Sequence, residues 1–141
     1  MLPPIIHALQ HVRRMRGRSQ SHLMRASDGN FYVVKFRNNP LHVRILANGY
    51  LATKIAALIG LQVAAPAMVE VSDWLISGTP DLRIEVGDRK VLCLPGLQFC
   101  SRYAVDPLRG NVLGYLPVSM LRRVTNLQQI CRNAGVRQMD V

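Results

Sequence analysis

The sequence predicts an α+β domain in which an antiparallel sheet is covered by one long packed helix. Three features indicate this class: two alternating segments joined by an Asp-Gly turn, a long helical segment after them, and several short strand-like segments beyond. This order differs from a regular alternation of strands and helices, which would favour a parallel sheet. The 141 residues suffice for one domain, and a hydrophobic content of 49% excludes a disordered chain.

The first two strands are predicted over residues 20–26 and 31–37. Asp28 and Gly29 lie between them, and this pair favours a tight hairpin turn because both residues tolerate positive φ. Side chains alternate between the two faces of a strand. The second strand therefore has Phe31, Val33, Lys35 and Arg37 on one face and Tyr32, Val34 and Phe36 on the other.

A long helix is predicted over residues 41–59. Pro40 suits the start of a helix and Gly60 suits its end. The apolar residues recur at helical spacing and predict a broad buried stripe, formed by Leu51, Ile55 and Leu58 with Ala52, Ala56 and Ile59 beside them.

The rest of the chain carries shorter elements. We expect a loop leading into a strand over residues 61–71, strands over residues 82–86 and 91–94, and a helical turn over residues 73–76. Residues 97–103 show no clear preference. The tail from residue 116 predicts a short C-terminal helix, with Leu121, Val124, Leu127 and Ile130 at helical spacing.

Charge and composition narrow the class of partner. The chain has 18 Lys+Arg against 8 Asp+Glu, and the resulting net charge of +10 favours an anionic partner. The three cysteines match no zinc motif and are expected to be buried hydrophobes in a reducing compartment. The four histidines also lack ligand spacing. We expect no membrane span and no secretory signal, and therefore a cytoplasmic protein.

One group of residues has the chemistry of a phosphate site. Gly17 lets the backbone approach a ligand, and the hydroxyls of Ser19 and Ser21, with nearby backbone N–H groups, are suited to phosphate oxygens. Lys35 must bring its amine to water or to an anion, because burying an unpaired charge is costly. The alternative is a solvated lysine that protects an edge strand from pairing.

Several segments resemble the HipA-like kinase domain family of bacteria. They include Gly17-Arg-Ser-Gln-Ser-His-Leu23, Asp28-Gly-Asn-Phe-Tyr-Val-Val-Lys-Phe-Arg-Asn-Asn-Pro40 and Leu46-Ala-Asn-Gly-Tyr-Leu-Ala52. The resemblance covers about residues 15–125 and implies the N-lobe of a protein kinase. It divides the chain into an N-terminal helix or extension (1–15), the N-lobe (16–125) and a divergent tail (126–141).

The resemblance also implies roles for individual residues. It places Gly17, Ser19, Gln20 and Ser21 in a phosphate loop, and Val33 in the wall of an adenine pocket. Lys35 matches the lysine that contacts ATP. The cofactor implied is therefore ATP, with Mg²⁺ only if a C-lobe is supplied elsewhere, because kinases hold the metal with C-lobe residues.

The chain departs from the family at two points. Gly49 stands where the family carries a glutamate, and no catalytic or metal-binding loop precedes Val141. We therefore expect a truncated or degenerate N-lobe that retains at most residual ATP binding. The chain has no catalytic or metal-binding residue of its own and is expected to be inactive alone.

Two other function classes stay open. A nucleic-acid module would contact phosphates through basic side chains, namely Arg13, Arg14, Arg16, Arg18 and Arg25. A protein-interaction module would use an apolar surface that a C-lobe normally covers, near Leu113, Tyr115 and Leu116. The low aromatic content of 6% argues against the first.

Overall fold

A computed structural model describes residues 5–41, 44–109, 118–125 and 128. The strands are β1 (Ile5–Arg14), β2 (His22–Ala26), β3 (Phe31–Lys35), β4 (Pro66–Val71), β5 (Arg83–Val86), β6 (Arg89–Leu92) and β7 (Gly96–Arg102). The helices are α1 (Arg44–Leu58), α2 (Asp73–Ser77) and a 3-10 helix (Val118–Arg123). The fold is therefore α+β and dominated by its sheets.

Five strands close into a barrel in the order β1-β2-β3-β7-β4. The expected open antiparallel sheet is corrected here, because β1 pairs with β4 in parallel, with Ile6 opposite Val69. The first residues of β1 meet β4, whereas the later ones meet β2, and two register shifts interrupt the pairing of β1 with β2. Such irregularities increase strand twist and help a short sheet to close. The segment over residues 1–15, expected as a helix or an extension, contains this strand.

The interior of the barrel is the hydrophobic core. The alternation in β3 is confirmed, because Tyr32, Val34 and Phe36 belong to this core. Cys93 and Cys100 are buried free thiols, as expected, and Cys131 lies outside the described residues. The hairpin of β5 and β6 forms a second sheet that adds Leu82 and Ile84 to the core.

The turn of the first hairpin is fixed by Asp28. Its carboxylate accepts hydrogen bonds from the Tyr32 hydroxyl at 2.7 Å and from the Asn30 backbone N–H at 3.0 Å. Burial alone would raise the pKa of Asp28, but hydrogen bonds from the Asn30 side chain, the Tyr32 hydroxyl and the Asn30 N–H outweigh it and lower that pKa. Burial and the same carboxylate raise the pKa of Tyr32 to about 12. The turn is thus fastened by side chains as well as by backbone geometry.

The predicted buried stripe of the long helix is wrong. No residue of α1 is buried, and the exposed fractions of Leu51, Ile55 and Leu58 are 56%, 58% and 85%. The helix contacts the outer face of the barrel around β7, where Gly49 lies against the Phe99 ring. The core is completed by α2, through Leu75 and Ile76, and by the β5–β6 hairpin, so α1 is not needed to cover it.

The end of the chain is described only in part. Residues 118–123 form the 3-10 helix, and residues 110–117, 126–127 and 129–141 lie outside the described residues. Most of the predicted C-terminal helix, including Leu127 and Ile130, therefore lies outside them too, as do Leu113, Tyr115 and Leu116. Within the described ranges, none of the helices has the length and apolar content that crossing a membrane requires.

A histidine lies in the barrel wall. His22 is fully buried, and its Nε2 is 3.2 Å from the Arg83 carbonyl oxygen. Because a carbonyl only accepts, we assign the proton to this nitrogen, and Nδ1 then accepts from Nε2 of His11 at 3.0 Å. Burial, followed by the neighbouring His11, lowers the pKa of His22 to about 4. The ring is therefore neutral at physiological pH.

We expect Gly49→Ala to destabilise the fold although alanine favours helices. A Cβ at this position would lie 2.9 Å from Cε1 of Phe99. Overpacking costs about 1–3 kcal/mol, which exceeds the gain of about 1 kcal/mol in helix propensity. Urea unfolding measures the difference. In a Phe99→Leu background the same change should become stabilising, and equal effects in both backgrounds would contradict this contact.

We expect the free energy of unfolding to fall as the pH is lowered from 6.5 towards 4. The pKa of His22 is about 4 in the folded state, against an ordinary value of 6.5 for histidine. Between these values the unfolded chain takes up a proton that the folded chain does not, so acid favours unfolding. Urea unfolding across this range measures the effect. His22→Gln keeps a donor and an acceptor without titrating, and an unchanged pH dependence in this variant would refute the assignment.

Candidate functional site

The loop that joins β1 and β2 is closed by its own backbone. The Met15 N–H donates to the Ser21 carbonyl at 2.8 Å, and the Gln20 N–H donates to the Gly17 carbonyl at 3.1 Å. Gly17 has a φ of 118°, a value that side-chain-bearing residues rarely adopt. No atom lies within 4 Å of the place where its Cβ would be, so this side of the loop is open to a ligand.

The two serines of the loop face each other. The hydroxyl oxygens of Ser19 and Ser21 are 2.9 Å apart and hydrogen-bonded. The amide of Asn39, which is only 4% exposed, donates to the Ser19 carbonyl and accepts from the Leu41 N–H at 2.8 Å. This amide ties the loop to the segment that follows β3. The hydroxyl pair is therefore held in place from the far side.

Lys35 lies next to these two serines, at the end of the two-stranded ribbon that β2 and β3 form. His22 is the Cα partner of Val34, so Ser21 and Lys35 are the next residues towards the same end. Val34 points into the core, and Lys35 consequently points away from it. On its other side Lys35 is the Cα partner of Phe99. The lysine is half-buried and forms no hydrogen bond or ion pair with the described residues.

Val33 shares the outer face with Lys35. It is half-buried and has Leu23 and Ser101 as its Cα partners on the two neighbouring strands. Leu23 is fully buried although it does not belong to the inner core. On the outer face of β3, the half-buried side chain of Val33 is thus followed two residues later by that of Lys35.

The aromatic ring of Phe99 separates Lys35 from the helix. Phe99 is covered by α1, where it contacts Gly49 and meets the Tyr50 ring at a centroid distance of 6.5 Å. Gly49, the position expected to carry a glutamate, therefore serves as a close packing point. It supplies no carboxylate to the lysine.

Gln20 is occupied by contacts within the protein. Its amide donates to the Glu85 carbonyl at 2.9 Å and accepts from the Glu85 N–H at 2.6 Å. The Arg14 guanidinium donates to the same amide oxygen at 2.9 Å and to the Glu85 carboxylate at 3.1 Å. The hydrogen bond from Arg14 and the charge of its guanidinium lower the pKa of the exposed Glu85 carboxyl. The structure thus brings Gly17, Ser19, Ser21 and Lys35 to one end of the ribbon and turns the Gln20 side chain towards β5.

The sequence analysis predicted no role for two residues of this site, Asn39 and Phe99. Asn39 belongs to the Asn-Asn-Pro segment, which was notable only as part of a resemblance, and its amide proves to hold the loop. Phe99 lay in a segment without a clear preference, and its position beside Lys35 depends on strand pairing between distant parts of the chain. The Asn-Asn-Pro segment after a strand is the signal from which a role for Asn39 could have been inferred.

The groups brought together at this site are hydrogen-bond donors and a cation, which suit an anion. A lysine amine, serine hydroxyls and open backbone are suited to phosphate oxygens. In the described part of the chain, no group of three His, Cys, Asp or Glu residues is placed to hold a metal. Two clefts, of about 380 and 720 Å³, lie elsewhere along β1 and β5 and beside the end of β7, and neither includes Lys35.

Comparison with known proteins agrees with the resemblance found in the sequence. None of the curated proteins and none of the solved structures compared with the chain matches it. A family model described as HipA-like kinase matches residues 7–109. That range begins within β1, ends beyond β7, and contains both the loop and Lys35. The chain therefore belongs to the HipA-like kinase family.

Proposed function

We propose that this protein is a degenerate HipA-like kinase N-lobe that binds the phosphates of ATP without transferring them. The observation that carries the proposal is the Lys35 amine. It stands between the serine hydroxyls and Phe99, with no anion of the described residues to balance it. A half-buried cation without a partner is stabilised by binding an anion.

The arrangement around the lysine supports a nucleotide over a simple anion. Gly17, Ser19 and Ser21 would contact the phosphates, and Lys35 would pair with them. Val33, on the same outer face two residues before the lysine, would contact the adenine. A glycine-containing loop, a strand lysine and a following helix are also the order of parts in a protein kinase N-lobe.

The same residues supply no means of phosphoryl transfer. Transfer needs metal ions and a group that positions the nucleophile. Among the described acids, Asp28 is held by Asn30 and Tyr32 in a turn, and Asp106 pairs with Arg109. The chain would bind Mg²⁺ only where carboxylates from another lobe are supplied. ATP binding without turnover is therefore the proposed activity.

Part of the basic surface is engaged inside the protein. Arg14 binds Gln20 and Glu85, and Arg13 donates to the Tyr103 hydroxyl at 3.4 Å. At least three of the five arginines considered for phosphate contacts of a nucleic acid, Arg13, Arg14 and Arg16, therefore have interactions within the protein. This favours the nucleotide proposal over a nucleic-acid module.

We expect Lys35→Ala to weaken ATP binding at least tenfold, since a hydrogen bond to a charged group contributes about 1.5–3 kcal/mol. Titration calorimetry with ATP measures the dissociation constant at fixed ionic strength. We expect a larger dissociation constant for the variant. We expect no ATP hydrolysis by either protein.

Lys54→Ala is the matched control for this experiment. Lys54 lies on α1 with its amine over the Tyr50 ring, and its removal changes the net charge by the same amount. We expect it to leave the dissociation constant unchanged. Equal weakening by both substitutions would indicate attraction by net charge alone, and the absence of ATP binding by the unaltered protein would refute the proposal.

A further inference from the structure

The hairpin of β5 and β6 meets the barrel through side chains at alternate positions. Gln20 binds both backbone groups of Glu85, and His22 binds the carbonyl of Arg83. Residues 83 and 85 turn the same edge of β5 towards the barrel, because alternate backbone groups of a strand face the same way. The Gln20 amide thus takes the place that a neighbouring strand would occupy.

We propose that Gln20 is a positioning residue for the phosphate loop, and that the β5–β6 hairpin is the support against which it holds that loop. We call the four contacts that join Arg14, Gln20 and Glu85 the amide clasp. This inference rests on the proposed nucleotide site. It gives Gln20 a role that acts through the loop backbone and not through contact with the nucleotide.

The backbone of Gln20 shows why support is needed. Its φ is 45°, and among the described residues no other residue except glycine has a left-handed φ. A side-chain-bearing residue adopts this conformation at a cost, and surrounding contacts must maintain it. The residue is only 8% exposed, and both polar atoms of its amide are hydrogen-bonded. The clasp supplies those contacts.

The loop is fixed from two directions. Asn39 holds the carbonyl of Ser19, and the clasp holds the next residue, Gln20. Between these two amides the chain turns so that the hydroxyls of Ser19 and Ser21 meet. Loss of the clasp would let this turn relax and would disperse the donors that the phosphates require.

The hairpin depends on the clasp in return. A two-stranded sheet alone is at best marginally stable in water, so β5 and β6 need contacts with the barrel. The clasp, the His22 contact and the Asn38 amide, which binds the Leu92 carbonyl at 2.9 Å, supply polar ones. Substitution of Gln20 should therefore loosen the hairpin and the loop together.

The test uses Gln20→Leu in the full chain. Leucine has a similar size but neither donates nor accepts. We expect the dissociation constant for ATP to rise about tenfold. This is the lower end of the effect seen when a residue that orients the binding groups is substituted. Hydrogen exchange followed by mass spectrometry should show faster exchange in peptides that cover residues 16–21 and 83–86, at a temperature where the variant is folded.

Two further variants make the result specific. Val69→Ala, in β4 inside the barrel, destabilises the core without touching the loop. It should leave the ATP dissociation constant unchanged. Gln20→Glu keeps the acceptor but at pH 8 loses the donor to the Glu85 carbonyl. Lowering the pH to 5 should protonate part of its carboxyl population and recover affinity relative to the unaltered protein.

The outcomes separate this inference from the proposed function. If the unaltered protein binds ATP, Lys35→Ala does not and Gln20→Leu binds normally, the clasp is not a positioning device and the inference is overturned. If no protein binds ATP, the proposed function fails. Faster exchange of both segments in Gln20→Leu would then still support the mechanical coupling, and unchanged exchange would refute it.

Discussion

Closure of the barrel by the parallel pairing of β1 with β4 is the constraint on which the other features depend. It turns Tyr32, Val34 and Phe36 inward and so points Val33 and Lys35 outward. It also creates an interior core that α2 and the β5–β6 hairpin complete and that α1 does not cover. The outer face of β3 carries Lys35, and α1 lies against β7 around Phe99.

Two side-chain amides hold the loop between β1 and β2 in place. Asn39 and Gln20 each donate and accept, and each joins the loop after β1 to a segment distant in sequence. A buried amide that uses both of its functions avoids the penalty of unpaired polar groups and fixes one geometry. The loop owes its shape to these amides more than to its own glycine.

The local elements could be predicted because their causes are local. Asp28 and Gly29 determine the hairpin turn, and the alternation around Lys35 determines its faces. The burial of α1 was mispredicted, because apolar spacing shows that a face is available and not that something covers it. The pairing of Lys35 with Phe99 arises from barrel register, which joins residues far apart in the chain, and the hydrogen bond of His11 with His22 depends on the shifted register of β1 against β2.

The contact between Gly49 and Phe99 links the fold to the charge of the site. With a glycine against that ring, the helix approaches β7 closely, and no carboxylate from position 49 reaches the lysine. Lys35 forms no ion pair with the described residues, so its positive charge is left unbalanced among them. The packing of α1 against β7 through glycine and an aromatic ring therefore leaves the proposed phosphate site with a net positive charge, which attracts an anion.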